Sequence, residues 1–325
     1  MERIRREAES PRGAAVIAAP RLHLSKADRR NLRVAAPFIL PWVVGFLAFT
    51  LYPIVYSLYL SFNSYSGFGN ATPVGFANYQ HLTSDPLFWK SLWNTLYYTG
   101  LAVPIGLVIA IVLALAMNQK VREVAIYRAA IYLPSILPLF ALTFIFIVLL
   151  NPRFGFVNYL ISLVGGPTIN WLGDPKWTRF SVVLLAQLGA GGPALIFLAA
   201  LRAVPGELYE SAALDGAGAL RRFQHITLPL ITPVILYDLI YGTILGVQIF
   251  TPAFILVGGT SGGAAYTAGP DNSLLFYVFY LYKQAFQYSD MGIASAMAWI
   301  LFIISVVLSV VIMRWSRYWV HYEVS

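Results

Sequence analysis

The sequence contains no cysteine, which excludes disulfide frameworks, thiolate metal sites and cysteine nucleophiles. Charge is scarce as well. Only 11% of the 325 residues are Asp, Glu, Lys or Arg, against roughly 25% in an ordinary soluble domain. No GxxxxGK[ST] stretch occurs, so the chain offers no P-loop for ATP. HExxH is also missing, and the one GxSxG match, Gly259 to Gly263, falls in a glycine-rich loop of the sequence and not in a strand–turn–helix context. The four histidines, His23, His81, His225 and His321, are scattered without metal-ligand spacing. No catalytic residue, cofactor or metal site is therefore expected. Any uphill transport would draw its energy from an ion gradient or from another subunit.

What is present is oil. Hydrophobic residues make up 58% of the chain, and the mean hydropathy is +0.69. About 20 apolar residues are needed for a helix to cross the hydrocarbon core. Six segments qualify: Ala35 to Leu60, Thr95 to Met117, Ala129 to Leu150, Phe180 to Leu201, Leu230 to Val257 and Gly292 to Met313. The expected fold is all-α, a polytopic membrane protein with six spans. Ser273 to Phe286 is apolar and aromatic but short and contains Lys283, so it reads as an interfacial helix and not a span.

The net charge of +8 invites a nucleic-acid partner until its placement is considered. Nine Lys/Arg lie in residues 1–33. Lys120, Arg122 and Arg128 follow the second segment, Arg202, Arg221 and Arg222 the fourth, and Arg314 and Arg317 the sixth. These 17 fall on one side and the other five of the 22 on the opposite side. Loops rich in Lys/Arg stay cytoplasmic, so both termini are expected there. The charge orients the chain in a lipid bilayer, and no nucleic acid is expected. The implied organisation is a basic tail (1–33), a transmembrane domain (34–317) with a cytoplasmic loop at 202–229, and a short tail (318–325). The opposite connections, Asn63 to Ser91, Asn151 to Arg179 and Gly258 to Asp290, read either as solvated linkers with an aromatic belt or as a docking face for an outside partner.

Asp238 is the clear ionisable residue inside a span, about 10 Å from the segment's cytoplasmic end. Such a carboxylate faces protein interior or a water-filled cavity. Helical spacing puts Gly242, Leu245 and Ile249 on its stripe, with Tyr241 and Gly246 flanking and Gln248 further round. In the fourth segment Gln187 precedes Gly189, Gly191, Gly192 and Pro193, which predicts a break. Either Asp238 bonds a neighbouring helix and the glycines permit close packing, or these residues line a passage. Together they favour a cavity.

The most polar internal stretch is Glu207 to Pro229. Pro205 can start a helix, and Glu207 and Glu210 near its N-terminus suit the dipole. Ser211, Ala212 and Ala213 are small. Gly216 and Gly218 end or bend the helix, and a second amphipathic helix, Ala219 to Thr227, leads to Pro229. Two short helices at an angle make a knob that can press into a groove.

These residues resemble the membrane subunit of binding-protein-dependent ABC importers. The signature of that family is EAA, three residues, Gly, nine residues, Ile-x-Leu-Pro. Here Glu210-Ser211-Ala212 opens it, with Ser for the first Ala, and Gly216, Ile226, Leu228 and Pro229 follow at the family spacing. YPIVYSLYLSF (Tyr52 to Phe62), YLPSILP (Tyr132 to Pro138), LYESAALDGAG (Leu208 to Gly218) and MGIASA (Met291 to Ala296) are similar to the carbohydrate branch, the first permease of maltose-type and glycerol-phosphate-type importers. Gly258-Gly259-Thr260 stands where that branch often has Gly-Gly-Pro.

The resemblance implies a type I ABC importer permease fold in a bacterial or archaeal inner membrane. It implies that Glu207, Glu210, Ser211, Ala212, Asp215, Gly216, Ile226, Leu228 and Pro229 couple to a separate ATPase, expected as a homodimer. A second homologous permease subunit and an extracytoplasmic solute-binding protein complete the complex. Ligand contacts in maltose-type relatives come from the span after the signature, which here falls near Gly242, Leu245, Gly246 and Ile249. The expected function is import of a sugar or oligosaccharide. The alternative is an ion-coupled secondary transporter using Asp238, and a membrane-embedded enzyme lacks converging site groups. No Lys or Arg lies within the spans before Arg314, which favours a neutral sugar over a phosphorylated one.

Overall fold

Several of the apolar segments are interrupted beside a proline. The computed structural model describes residues 26–119, 121–260 and 268–321. The basic tail over 1–25, with His23, lies outside the described residues, as do Lys120, residues 261–267 of the Gly258 to Asp290 connection, and 322–325. Described residues up to Tyr56 form one unit and those from Ser57 onward another.

The first unit holds α1 (Lys26–Phe46), a π-helical turn, Leu47–Leu51, and the start of α2 (Tyr52–Ser61), whose last residues belong to the second. Val34–Ser61 is apolar enough to span, and most of its side chains are exposed, as lipid-facing side chains would be. The turn has a local cause. Pro53 cannot donate to the carbonyl of Phe49, and its ring crowds that carbonyl. The helix widens there, with the Tyr52 N–H bonded to Leu47 O.

Beyond α2 the second unit has a two-residue antiparallel ladder, β1 (Asn63–Ser64) on β2 (Thr72–Pro73), and α3 (Ala77–Ser84). Among the described residues this ladder is the one strand pairing, and the rest of the regular structure is helical, as expected. The helix α4 (Pro86–Met117) starts nine residues before the predicted segment. Asp85 caps it by accepting from the Leu87 N–H at 2.9 Å, and Pro86 occupies the first turn, where its missing N–H costs nothing.

The third segment is not a straight span. It is α5 (Val124–Ile136) and α6 (Leu139–Leu149), bent by 100° at the break. Pro138 forces the residue before it out of the helical region, and Leu137 is accordingly extended (φ −68°, ψ 137°). Five helices among the described residues are therefore long and apolar enough to cross, and six if this bent pair counts as one.

After α7 (Phe156–Leu163), the fourth segment is α8 (Pro175–Gln187) and α9 (Gly191–Ala203), joined by a tight 3₁₀ turn at Leu188–Ala190, where the glycines predicted a break. α10 (Gly206–Leu214), α11 (Ala219–Arg222), a π turn at Phe223–Thr227 and α12 (Leu228–Leu230) form the polar stretch. The fifth segment is also broken. α13 (Thr232–Val247) and α14 (Thr251–Thr260) are separated at Gln248–Phe250. Pro252 cannot bond the carbonyl of Gln248, so the ladder opens there.

Ser273 to Phe286 departs from the expected surface helix. Its helix α15 (Tyr277–Tyr282) is short, and Leu274, Phe276 and Tyr277 are wholly buried. Polar groups of α4 hold it in. Asn94 Nδ2 donates to the Asn272 and Leu275 carbonyls, each at 2.9 Å, and the Tyr277 N–H donates to Thr95 Oγ1 at 2.8 Å. The last span is α16 (Met291–Ser316).

Two cores result. One joins α8 and the starts of α4 and α16 to α15 through Phe88, Val182, Tyr277 and Met297. The other joins the end of α4 to α9 and the start of α13 through Met117, Phe197, Leu201 and Ile231. Burial in lipid brings little hydrophobic gain, so close packing must hold the helices together. Ala110, Ala114 and Ala194, all wholly buried, let α4 and α9 approach.

Candidate functional site

Between the two cores lies a cavity of about 420 Å³. The residues predicted for it come from two broken helices. Gln187 and Gly189 sit at the α8–α9 break. Asp238, Gly242, Leu245 and Gly246 descend along α13, and Gln248 and Ile249 lie at the α13–α14 break. Of the nine residues expected along the passage, Tyr241 alone lies elsewhere. Its ring is exposed and stacks on Tyr237 at 5.9 Å. Tyr241 is one residue off the stripe, and that rotation turns it outward.

The breaks matter because they put ends of helices, and not only side chains, at the cavity. Pro193 near the start of α9 and Thr251 and Pro252 at the start of α14 all contribute to its wall. Irregular backbone at membrane depth is tolerated where it lines a cavity. At the first break, Gly191 is required by space. A Cβ there would lie 2.3 Å from the Ile131 carbonyl oxygen of α5.

Three polar side chains present acceptors. Gln187 Nε2 donates to Val183 O at 2.8 Å, and its buried Oε1 has no partner among the described residues. Asp238 makes no hydrogen bond or ion pair among the described residues. Gln248 is exposed. No Lys, Arg or His among the described residues contributes to the wall. Tyr98 and Thr251 add hydroxyls, and the remainder is apolar or small. These groups can bind hydroxyls. They do not assemble a nucleophile with a base.

The opposite wall, from α4, went unpredicted: Tyr98, Ala102, Val103 and Gly106. A signal for it existed. Ala102, Gly106, Ala110 and Ala114 recur every four residues, the spacing by which small residues let membrane helices pack.

The Glu207 to Pro229 stretch protrudes. No residue of α10 or α11 is buried. Pro205 caps α10 instead of starting it, and Gly206 is the first helical residue. The helix ends in a Schellman turn. The Ala217 N–H reaches Ala212 O at 2.9 Å, and the Gly216 N–H reaches Ala213 O at 3.1 Å. Gly216 adopts φ +78°, with open space where a Cβ would be, so backbone conformation and not crowding selects glycine. The second helix is α-helical only over Ala219–Arg222. The following π turn precedes Pro229, whose absent N–H leaves His225 O without its usual partner.

The nine signature residues divide by exposure. Glu207, Glu210, Ser211, Asp215 and Gly216 are exposed, whereas Ala212, Ile226, Leu228 and Pro229 are half-buried, and Leu228 packs on the second core. Three leucines that the sequence pattern did not single out stand outward beside them: Leu208, Leu220 and, at 91% exposed, Leu214. The stretch is also tied to the base of α13. Thr232 Oγ1 donates to Pro229 O at 2.6 Å and accepts from the His321 N–H at 3.0 Å.

Residues 102–321 match the family described as "Binding-protein-dependent transport system inner membrane component". The chain is 36% identical over 301 residues to the probable ABC transporter permease protein YesP of Bacillus subtilis, covering 92% of this chain and 95% of that protein. It is 33% identical over 287 residues to the arabinooligosaccharides transport system permease protein AraP of the same organism, covering 87% and 88%. A chain of a bacterial alginate ABC transporter, crystallised with an alginate pentasaccharide-bound periplasmic protein, superposes with a TM-score of 0.76 at 24% identity, covering 90% of this chain and 96% of that one.

Proposed function

The chain belongs to the family of binding-protein-dependent transport system inner membrane components, and on that footing we propose that it forms half of the pathway of an ATP-driven sugar or oligosaccharide importer. The observation that carries this is the continuity between the two sites. The exposed α10–α12 stretch runs through Pro229 directly into α13, which lines the cavity. Movement imposed on the knob would reach the passage along one short, continuous stretch of backbone.

In this reading α10 and the turn at Gly216 press into a groove of a separate ATPase. Glu207 and Glu210 offer charge to its rim, and Leu208, Leu214 and Leu220 offer apolar contact. A second permease subunit closes the cavity, and a solute-binding protein loads it from the far side. Both termini and the knob face the cytoplasm, in keeping with the Lys/Arg distribution. The carbohydrate assignment draws on the arabinooligosaccharide relative and on a wall of hydroxyl-binding acceptors with no cation among the described residues.

The test is uptake of labelled sugars by cells with and without the ATPase subunit. Uptake is expected to vanish with the ATPase. Uptake that persists on an ion gradient alone would contradict the proposal.

A further inference from the structure

The cavity wall is one-sided in its chemistry. Asp238 contributes a carboxylate and Gln187 an unpartnered acceptor oxygen, whereas Lys, Arg and His are absent from the wall among the described residues. The carboxylate is not consumed by the fold. Among the described residues no hydrogen bond or ion pair neutralises it. The ion pair between Lys90 and Asp271 joins the start of α4 to the Pro270–Asn272 turn, and neither residue lines this wall. A carboxylate held at membrane depth is costly to retain without a role. Its field is also focused by the apolar walls around it, which raises the local concentration of cations and lowers that of anions.

We propose that Asp238 is a specificity-determining residue: this wall admits neutral polyhydroxylated solutes and amino sugars and repels glycans bearing carboxylate or sulfonate groups. The inference rests on the reading of the cavity as the sugar passage. In a neutral sugar, hydroxyls donate to the Asp238 carboxylate and to Gln187 Oε1. In an amino sugar, the ammonium group adds an ion pair. An acidic sugar meets a like charge with no compensating cation on this chain's side.

The missing cysteines make a direct test possible, because a single introduced cysteine is the chain's only thiol. Leu245→Cys places it in the cavity, seven residues along α13 from Asp238, and Gln248→Cys gives a second position at the break; both parent residues are exposed there. The assembled importer in membrane vesicles is reacted, at low ionic strength, with thiosulfonate reagents of equal size carrying either a trimethylammonium or a sulfonate group. The ratio of cationic to anionic labelling rates is compared with the ratio in the same cysteine variant carrying Asp238→Asn.

The expected result is a ratio about tenfold higher with the Asp238 carboxylate in place than in the Asp238→Asn variant, whose amide is uncharged, in line with focused fields in apolar clefts. Equal ratios would overturn the proposal, as would failure of both cysteines to react with either reagent. The outcome is separable from the importer reading. A charge preference that disappears in Asp238→Asn, in a complex that shows no ATP-dependent uptake, would sink the importer and leave the filter standing.

Discussion

The hydroxyl of Tyr209 lies 2.9 Å from Oγ1 of Thr227, and this hydrogen bond joins the two halves of the protruding stretch. Tyr209 is on α10, and Thr227, which is buried, closes the π turn. The bond spans the Gly216 turn and so ties the two short helices to each other. Removing it should loosen the knob without unfolding the membrane domain. Tyr209→Phe and Thr227→Val are each expected to cost about 1 kcal/mol locally. The double variant should cost little more than either alone. Measured as transport-coupled ATPase rate in the assembled importer, strictly additive losses would show that the bond does not couple the two helices.

Gly216 offers a cleaner test of backbone conformation. Its φ of +78° with open space around it means that Ala should weaken assembly with the ATPase by a strain of about 1 kcal/mol, whereas Asn, which tolerates the left-handed region, should be close to neutral. Co-purification of the ATPase with each variant decides this. If Asn were as damaging as Ala, the side chain and not the conformation would be the cause.

Gly191 and Gly189 lie two residues apart at the same break but should behave differently. A Cβ at Gly191 would meet Ile131 O at 2.3 Å, whereas one at Gly189 meets nothing within 4 Å. Gly191→Ala is expected to force α9 from α5 and lower the melting temperature of the solubilised complex by several degrees. Gly189→Ala should leave it unchanged. Equal melting temperatures would mean that α5 and α9 separate at no cost, and that space does not select glycine at this position.

At the other end, Tyr280 donates to the Asp85 carboxylate and accepts from Gln284 Nε2 at 2.7 Å. Burial first, and then the hydrogen bond and charge of Asp85, raise the phenol above its ordinary value of 10.0. A raised pKa means that the folded state holds the proton more tightly than the unfolded state. The stabilisation is therefore complete below the ordinary phenol range and lost as the pH rises beyond it. Tyr280→Phe should flatten the alkaline part of the stability curve relative to the parent. An unchanged alkaline slope would remove Tyr280 as a contributor.

The sequence disclosed some of these features and hid others for physical reasons. The apolar runs and the spacing from Glu210 to Pro229 were legible because lipid permits only long helices and a short insert of charge stands out against them. The Asp238 stripe was legible because 3.6-residue periodicity fixes which neighbours share a face. With Gln187 and Gly189 at the α8–α9 break, all of its expected companions except Tyr241 surround one cavity. The 100° bend at Pro138 and the break before Pro252 were not foreseen, although proline marks both. Proline tells where a ladder can open, but neighbouring contacts decide whether it does. Pro104 sits inside α4 without breaking it. The burial of α15 was hidden for a different reason. Its anchors, Asn94 and Thr95, are some 180 residues away in sequence, and no local pattern records such a pairing.

Leu214 offers the most direct test of whether the α10–α12 knob seats in an ATPase. Leu214→Cys would be the chain's only thiol, on a side chain that is 91% exposed. Its rate of maleimide labelling should be fast in the permease without the ATPase and strongly suppressed in the assembled, transport-competent importer. Equal labelling in both, with uptake intact, would contradict the docking of the knob.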